Sequence, residues 1–257
     1  MARAVANTLG RMTATLARLH WGDPASARRA LLVHGIGSSA ATTWRLAEAL
    51  AEAGWSATAV DLRGHGRSPR TASYRLSDYA GDLAATRPDG GGAWEAVVAH
   101  SLGGVAAVLA AGADWAERLV LLDPALRLTP ETARGVAASQ RAARAANTVE
   151  AVSAANPHWH PVDVEEKVRA VEHASAWGIE RTGESNAEDW DALDAALARP
   201  VPTLLLVPER GPLVDAAQQE ALRANPRIRQ QLIEGAGHNL HRDRLGATAE
   251  AALGWLG

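Results

Sequence analysis

The sequence predicts an α/β domain with a mostly parallel sheet, interrupted once by a block of helices, and three observations carry that prediction. Short aliphatic and β-branched runs alternate with helical runs through the first half of the chain, the pattern of strands joined by crossover helices. Strand-like runs then stop from Pro124 to about Pro200, where the text is Ala-, Glu- and Arg-rich with helical periodicity. Strand character returns at 202–207 and 228–233. With 257 residues the chain buries roughly 70–75% of its unfolded surface, enough for a full core without covalent staples.

In chain order, strands are expected at 13–20, 29–34, 56–60, 95–99 and 118–122. Helices are expected at 42–53, at 77–87 with Ser77 as the capping residue, and at 102–112. The last is apolar on nearly all faces and so reads as buried. The glycine-rich 87–92 stretch lacks phosphate-loop spacing and follows no strand, which makes it a surface loop. Within the helical block, Thr129-Pro130-Glu131 and Pro161-Val162-Asp163 are helix starts, and breaks fall at 156–161 and 183–186. Further helices are expected near 215–224 and 245–256. The organisation that follows is a core of 12–124 and 200–257, a helical cap of 125–199, and a mobile leader of 1–11 ahead of Met12.

Composition removes several function classes. Acids number 29 against 26 bases, for a formal charge of −3, and the bases are dispersed; neither nucleic acid nor an anionic membrane is the expected partner, and a small molecule is. Without cysteine there are no disulfides, thiolate nucleophiles or cysteine-held metals. Phe is absent while Trp occurs nine times, so tryptophan must fill large core positions. Lys167 is the sole lysine, which fits an arginine-favouring coding bias. No signal-peptide pattern and no 18-residue apolar span is present, and a cytoplasmic location is expected.

The chemistry concentrates at Val97-Val98-Ala99-His100-Ser101-Leu102-Gly103-Gly104, an apolar strand entering a small-residue turn and then a helix. A serine on such a turn projects its hydroxyl at the sheet edge, and the residues two before and two after must be small because strand and helix pass closely. Ala99 and Gly103 meet that need, although Ala99 departs from the usual G-x-S-x-G. A serine that only caps a helix would not need small residues on both sides. For a general base, His238 follows a strand in a glycine-flanked turn, with His241 as its rival; in His241-Arg242-Asp243 the latter is expected to be solvated or paired with an acid. His158-Trp159-His160 has two alternating histidines and no third ligand, so it reads as cap surface and no metal is expected.

Four segments together resemble the α/β-hydrolase superfamily from Thr13 onward: Leu31-Leu32-Val33-His34-Gly35-Ile36-Gly37-Ser38, Asp61-Leu62-Arg63-Gly64-His65-Gly66-Arg67-Ser68, Ala99-His100-Ser101-Leu102-Gly103-Gly104 and Gly235-Ala236-Gly237-His238-Asn239. The resemblance implies an α/β-hydrolase fold with a mostly parallel eight-stranded sheet, a helical cap where members commonly insert one, and chemistry at the carboxyl ends of the strands. It further implies Ser101 as nucleophile, His238 as base, and the backbone N–H groups of Ile36 and Leu102 as oxyanion donors. The 61–68 loop is expected to shape the site without a catalytic role.

The acid departs from the family pattern, since Gly211 stands where members commonly carry Asp after the seventh strand. Two substitutes remain open: Asp123, at the end of the strand following the nucleophile's helix, and Glu209, at a slightly early offset in the usual loop. Gly35, Trp159, Trp177 and Trp190 are candidate substrate contacts. The expected function is hydrolysis of a small carboxylic ester or lactone through an acyl-enzyme, with no cofactor. C–C bond hydrolysis, cyanohydrin cleavage, cofactor-free perhydrolysis or a non-catalytic small-molecule receptor are the alternatives on the same fold.

Overall fold

The structure, a computed structural model, describes residues 13–112, 114–198 and 201–257. The proposed leader 1–11 lies outside them. Among the described residues, seven strands form one sheet: β1 (Arg18–Trp21), β2 (Arg29–Val33), β3 (Ser56–Val60), β4 (Ala96–His100), β5 (Leu119–Leu122), β6 (Thr203–Pro208) and β7 (Ile228–Ile233). Their spatial order is β1-β3-β2-β4-β5-β6-β7, with β1 antiparallel to β3 and every other pair parallel. The sheet is one strand short of the eight implied by the resemblance. The strand expected over 13–20 is shorter, beginning only at Arg18: Ala14 N–H donates to Asp82 Oδ1 (2.6 Å) and Ala17 N–H to Ser68 Oγ (2.9 Å), so side chains satisfy backbone that a ladder would otherwise take.

Helices flank both faces of the sheet. A 3₁₀ turn over Ala40–Thr43 leads into α1 (Trp44–Glu52). α2 (Leu76–Ala85) begins one residue before Ser77, which lies inside the first turn; Asp78 reaches back to the N–H of Arg75 (3.0 Å) instead. α3 (Leu102–Ala110) is buried along most of its length, as its all-round apolar text requires. Between β5 and β6 come α4 (Pro130–Ala145), α5 (Val149–Ala155), α6 (Pro161–His173), α7 (Ala176–Ser185) and α8 (Leu193–Leu197). Thr129 accepts from Thr132 N–H at the start of α4, and Pro130 and Pro161 occupy first-turn positions. α9 (Ala216–Arg223), α10 (Leu240–Asp243) and α11 (Leu245–Leu256) complete the chain.

Two apolar clusters fill the two sides of the sheet. One gathers Val33, Val97, Leu121 and Leu205 with α2 and α3; the other gathers Leu32, Val98, Leu122 and Leu206 with α1 and α11. Neighbouring residues on one strand thus face opposite layers, the two-residue alternation of a sheet covered on both faces. Tryptophan fills the large volumes: Trp55, Trp94 and Trp115 are fully buried, and the last two both donate their indole N–H to Thr86 O. Among the described residues no helix is long and apolar enough to cross a membrane.

Parallel register brings the chemistry-bearing loops to one edge. His100 pairs with Leu122, Leu122 with Leu206, and Pro208 with Ile233, so β4, β5, β6 and β7 all end on the same side.

Candidate active site

Ser101 directly follows β4 and precedes α3, with φ 52° and ψ −119°, a backbone conformation that a side-chain-bearing residue rarely adopts. The surroundings enforce it. Ser101 N–H donates to Leu122 O (3.1 Å), continuing the sheet ladder, while the chain turns at once into α3. A Cβ at Gly103 would stand 2.5 Å from His34 O and 2.8 Å from Val33 O, so only glycine lets the helix pass this close to the end of β2.

His238 stands over this serine. Its Nε2 lies 3.1 Å from Ser101 Oγ and its Nδ1 2.6 Å from Asp123 Oδ2. With Nδ1–H donating to the carboxylate, Nε2 is left as an acceptor facing the hydroxyl. Asp123 is fully buried at the end of β5, at φ 40°, and its other oxygen accepts from Leu213 N–H (2.8 Å). The loop after β6, with Gly211 at the position where an acid was expected, therefore supplies a backbone donor to Asp123. Glu209 does not take part: its Oε2 accepts from Gly235 N–H (2.8 Å) at the exposed surface.

Leu102 follows the serine and opens α3, where the helix dipole is positive, and Ile36 follows Gly35 in the 34–38 loop; among the described residues neither N–H has a protein acceptor. Gly35 sits against Ser101: a Cβ there would be 3.0 Å from the serine Cβ and 2.9 Å from His100 Nδ1.

Histidines brace the 34–38 loop. His34 Nδ1–H donates to Gly35 O (2.7 Å) while its Nε2 accepts from Leu62 N–H (3.0 Å). His65, from the 61–68 loop, donates from Nδ1 to Arg63 O and accepts at Nε2 from Gly37 N–H (3.1 Å). Burial pushes His34 down to about 4, and burial with the neighbouring His34 pushes His65 down to about 3. His100 and His241, also buried, are lowered well below the usual imidazole value, mainly by burial.

These lowered values carry a sign. Each group binds a proton more weakly when folded, so stability is whole above the unfolded value near 6.5 and declines as pH falls towards the folded ones. The denaturation midpoint is expected to fall between about pH 7.5 and about pH 5, where few carboxylates titrate, and His65→Gln should flatten the slope. A midpoint constant across that range would contradict the burial of neutral imidazoles.

His241 is neither solvated nor paired with an acid. It is buried, its Nδ1 has no partner, and its ring meets that of His100 edge-on at 4.9 Å, because α10 turns it under the 235–239 loop. His100 also packs against His238 (4.6 Å between rings) and donates from Nε2 to the backbone O of His238 (2.8 Å). It thereby ties the histidine loop to the serine turn, a tie that no sequence pattern announced.

The three tryptophans separate. Trp159 is buried and donates to Asp243 Oδ1 (2.7 Å), with the Arg242 guanidinium 4.8 Å over its ring. Trp190 is buried and donates to Ala125 O (2.7 Å), fastening the far end of the helical segment next to β5. Trp177 is 52% exposed and leans on Tyr74. His158 bonds Asp243 (3.1 Å), and His160 accepts from Val162 N–H at the start of α6.

Comparison with known proteins agrees with this architecture. The profile of the alpha/beta hydrolase family matches residues 30–251. Lipase LipV of Mycobacterium tuberculosis is 38% identical over 115 residues, 44% of this chain and 43% of LipV, so the match spans less than half of that relative. Among solved structures, an N-formylmaleamic acid deformylase from Pseudomonas putida S16 superposes with a TM-score of 0.78 at 23% identity, covering 93% of this chain and all of that one. A thermophilic esterase from Thermogutta terrifontis gives 0.74 at 24% identity, covering 94% and 92%. At such identities the structures speak for the fold, whereas the profile spans most of the chain. This chain belongs to the alpha/beta hydrolase family.

Proposed function

We propose that this protein is a serine hydrolase that cleaves a small carboxylic ester or lactone through an acyl-enzyme. The observation that carries the reading is the continuous hydrogen-bonded line from Ser101 through His238 to Asp123 at the carboxyl edge of the sheet. Ser101 Oγ attacks the carbonyl carbon as His238 Nε2 takes its proton. Asp123 orients the imidazole and stabilises its charged form, and the N–H groups of Ile36 and Leu102 receive the oxyanion. The alkoxide leaves with the proton from Nε2; water, activated by the same nitrogen, then releases the acid and restores the serine.

The buried carboxylate 2.6 Å from His238 favours catalysis over a receptor with a decayed triad. The partial likeness to a protein named as a lipase supports ester chemistry. The helical segment of about 125–199 acts in this reading as a cap that sets selectivity, with Trp190 tying it to the core at Ala125.

A fluorophosphonate, read out by mass spectrometry, should modify the peptide bearing Ser101, and Ser101→Ala should remove the adduct. An adduct on a different serine, or none, would overturn the assignment.

A further inference from the structure

Resting on the hydrolase reading above, we infer that Lys167 and Arg242 form a subsite for a carboxylate carried by the substrate, beside the loop that holds the oxyanion donor Ile36. Lys167 reaches from α6 so that Nζ donates to Gly37 O (2.6 Å), and Arg242, from α10, donates from Nη2 to Ser38 Oγ (3.0 Å). Gly37 and Ser38 are the two residues directly after Ile36, so both cations hold the loop that carries that donor. Gln140 of α4 covers the same spot: a Cβ at Gly37 would collide with its Oε1 and stand 3.6 Å from Lys167 Nζ.

These cations have donors to spare. Among the described residues Lys167 has no acidic partner, and its one hydrogen bond leaves two N–H groups unengaged. Arg242 is 3% exposed, and its Nε is buried with no partner. The nearby acids are engaged elsewhere: Asp163 by Trp44 Nε1 (2.9 Å) and Arg45 (3.2 Å), Asp243 by Trp159, His158 and Gly237 N–H (2.8 Å). Burial, with the Arg242 charge, brings Lys167 down to about 7, and burial brings Arg242 down to about 10 against the opposing pull of Asp163 and Asp243. Those two acids offset Arg242 alone, whereas Lys167 is held out of water beside a like charge with no acid bonded to it, and a carboxylate supplies both the charge and acceptors for its idle N–H groups. The preferred substrates are therefore monoesters or lactones that keep a free carboxylate.

Matched ester pairs test this. Mono-p-nitrophenyl succinate is compared with p-nitrophenyl butyrate for a carboxylate on the acyl side, and O-acetylglycolate with propyl acetate for one on the alcohol side. In at least one pair the parent should show kcat/KM higher for the anionic ester by about tenfold or more, the scale of a buried charge-assisted contact. Lys167→Gln should lower that anionic-to-neutral ratio by about tenfold, and Lys167→Arg should keep most of it. The ratio in the parent stands as a readout even if the glutamine variant folds poorly. No preference in either pair, or a ratio unchanged in Lys167→Gln, overturns the subsite. Fluorophosphonate labelling of Ser101 in the same preparations separates the two readings: labelling without anion preference removes the subsite alone, and absent labelling removes the hydrolase assignment.

Discussion

Replacing Asp123 with asparagine is expected to lower kcat by about 10⁴, the scale of the same exchange in a serine protease triad. The amide keeps the volume of a side chain that is fully buried, so packing is preserved. It offers His238 Nδ1 the wrong partner, however, and favours the tautomer in which Nε2 carries the hydrogen and cannot accept from Ser101. Glu209→Gln should stay within about tenfold of the parent, because its carboxylate lies at the surface on Gly235 N–H. Steady-state kinetics on a chromogenic ester decide between them. Strong loss in Glu209→Gln with activity kept in Asp123→Asn would reverse the assignment. Thermal melts should accompany the measurement, since Asp123 also holds Leu213 N–H (2.8 Å).

The second large effect concerns stability. Arg63 and Asp82 form a two-pronged buried pair, Nε to Oδ2 at 2.6 Å and Nη2 to Oδ1 at 2.7 Å, with the side chains 3% and 0% exposed. Arg63 also donates to Ser73 O (2.8 Å), and Asp82 accepts from Ala14 N–H (2.6 Å). The pair thus joins the 61–68 loop to α2 and to the segment before β1. Asp82→Ala leaves the buried guanidinium with only Asp78, 3.6 Å from Nη1, as counter-charge and without its two-pronged partner, and removing one partner of such a pair costs about 3–5 kcal/mol. For a chain of this size that is a fall of roughly 6–20 °C in Tm. Arg63→Met with Asp82→Leu should recover much of the loss, because neither charge is then stranded. A loss below about 1 kcal/mol in Asp82→Ala would mean that Asp78 or water takes over the neutralisation of Arg63.

Much of this molecule was legible in the sequence because the signals are local. The period-two runs placed β2 to β7, and the helical runs α1 to α3, within a residue or two at most ends; in the helical block only the starts of α4 and α6 and the break at 156–161 were marked, and the expected break at 183–186 falls inside the last turn of α7. Small residues around Ser101 signalled the turn, since close passage of α3 and β2 is a steric requirement on the residues themselves. The start of the chain was misread for a complementary reason: 13–17 has strand-like text, but its backbone donors are taken by Asp82 and Ser68, residues far away in sequence. The tripeptide His241-Arg242-Asp243 looks solvated by composition, yet α10 folds His241 and Arg242 inward against His100 and Trp159.

The sequence by itself determined the order of elements, the parallel sheet, the serine turn and the histidine turn, each written in a short window by periodicity, small residues or glycine flanks. Only the tertiary structure decided which carboxylate meets His238, because that depends on the register of β5 against β6 and on the path of the loop beyond Pro208, which turns Leu213 N–H rather than an acid towards the site. It likewise decided that Lys167, an oddity of composition when read alone, stands on Gly37 O across 130 positions of chain. Contacts between distant segments follow from how layers pack, and packing depends on all the faces at once, so no short window of sequence contains them.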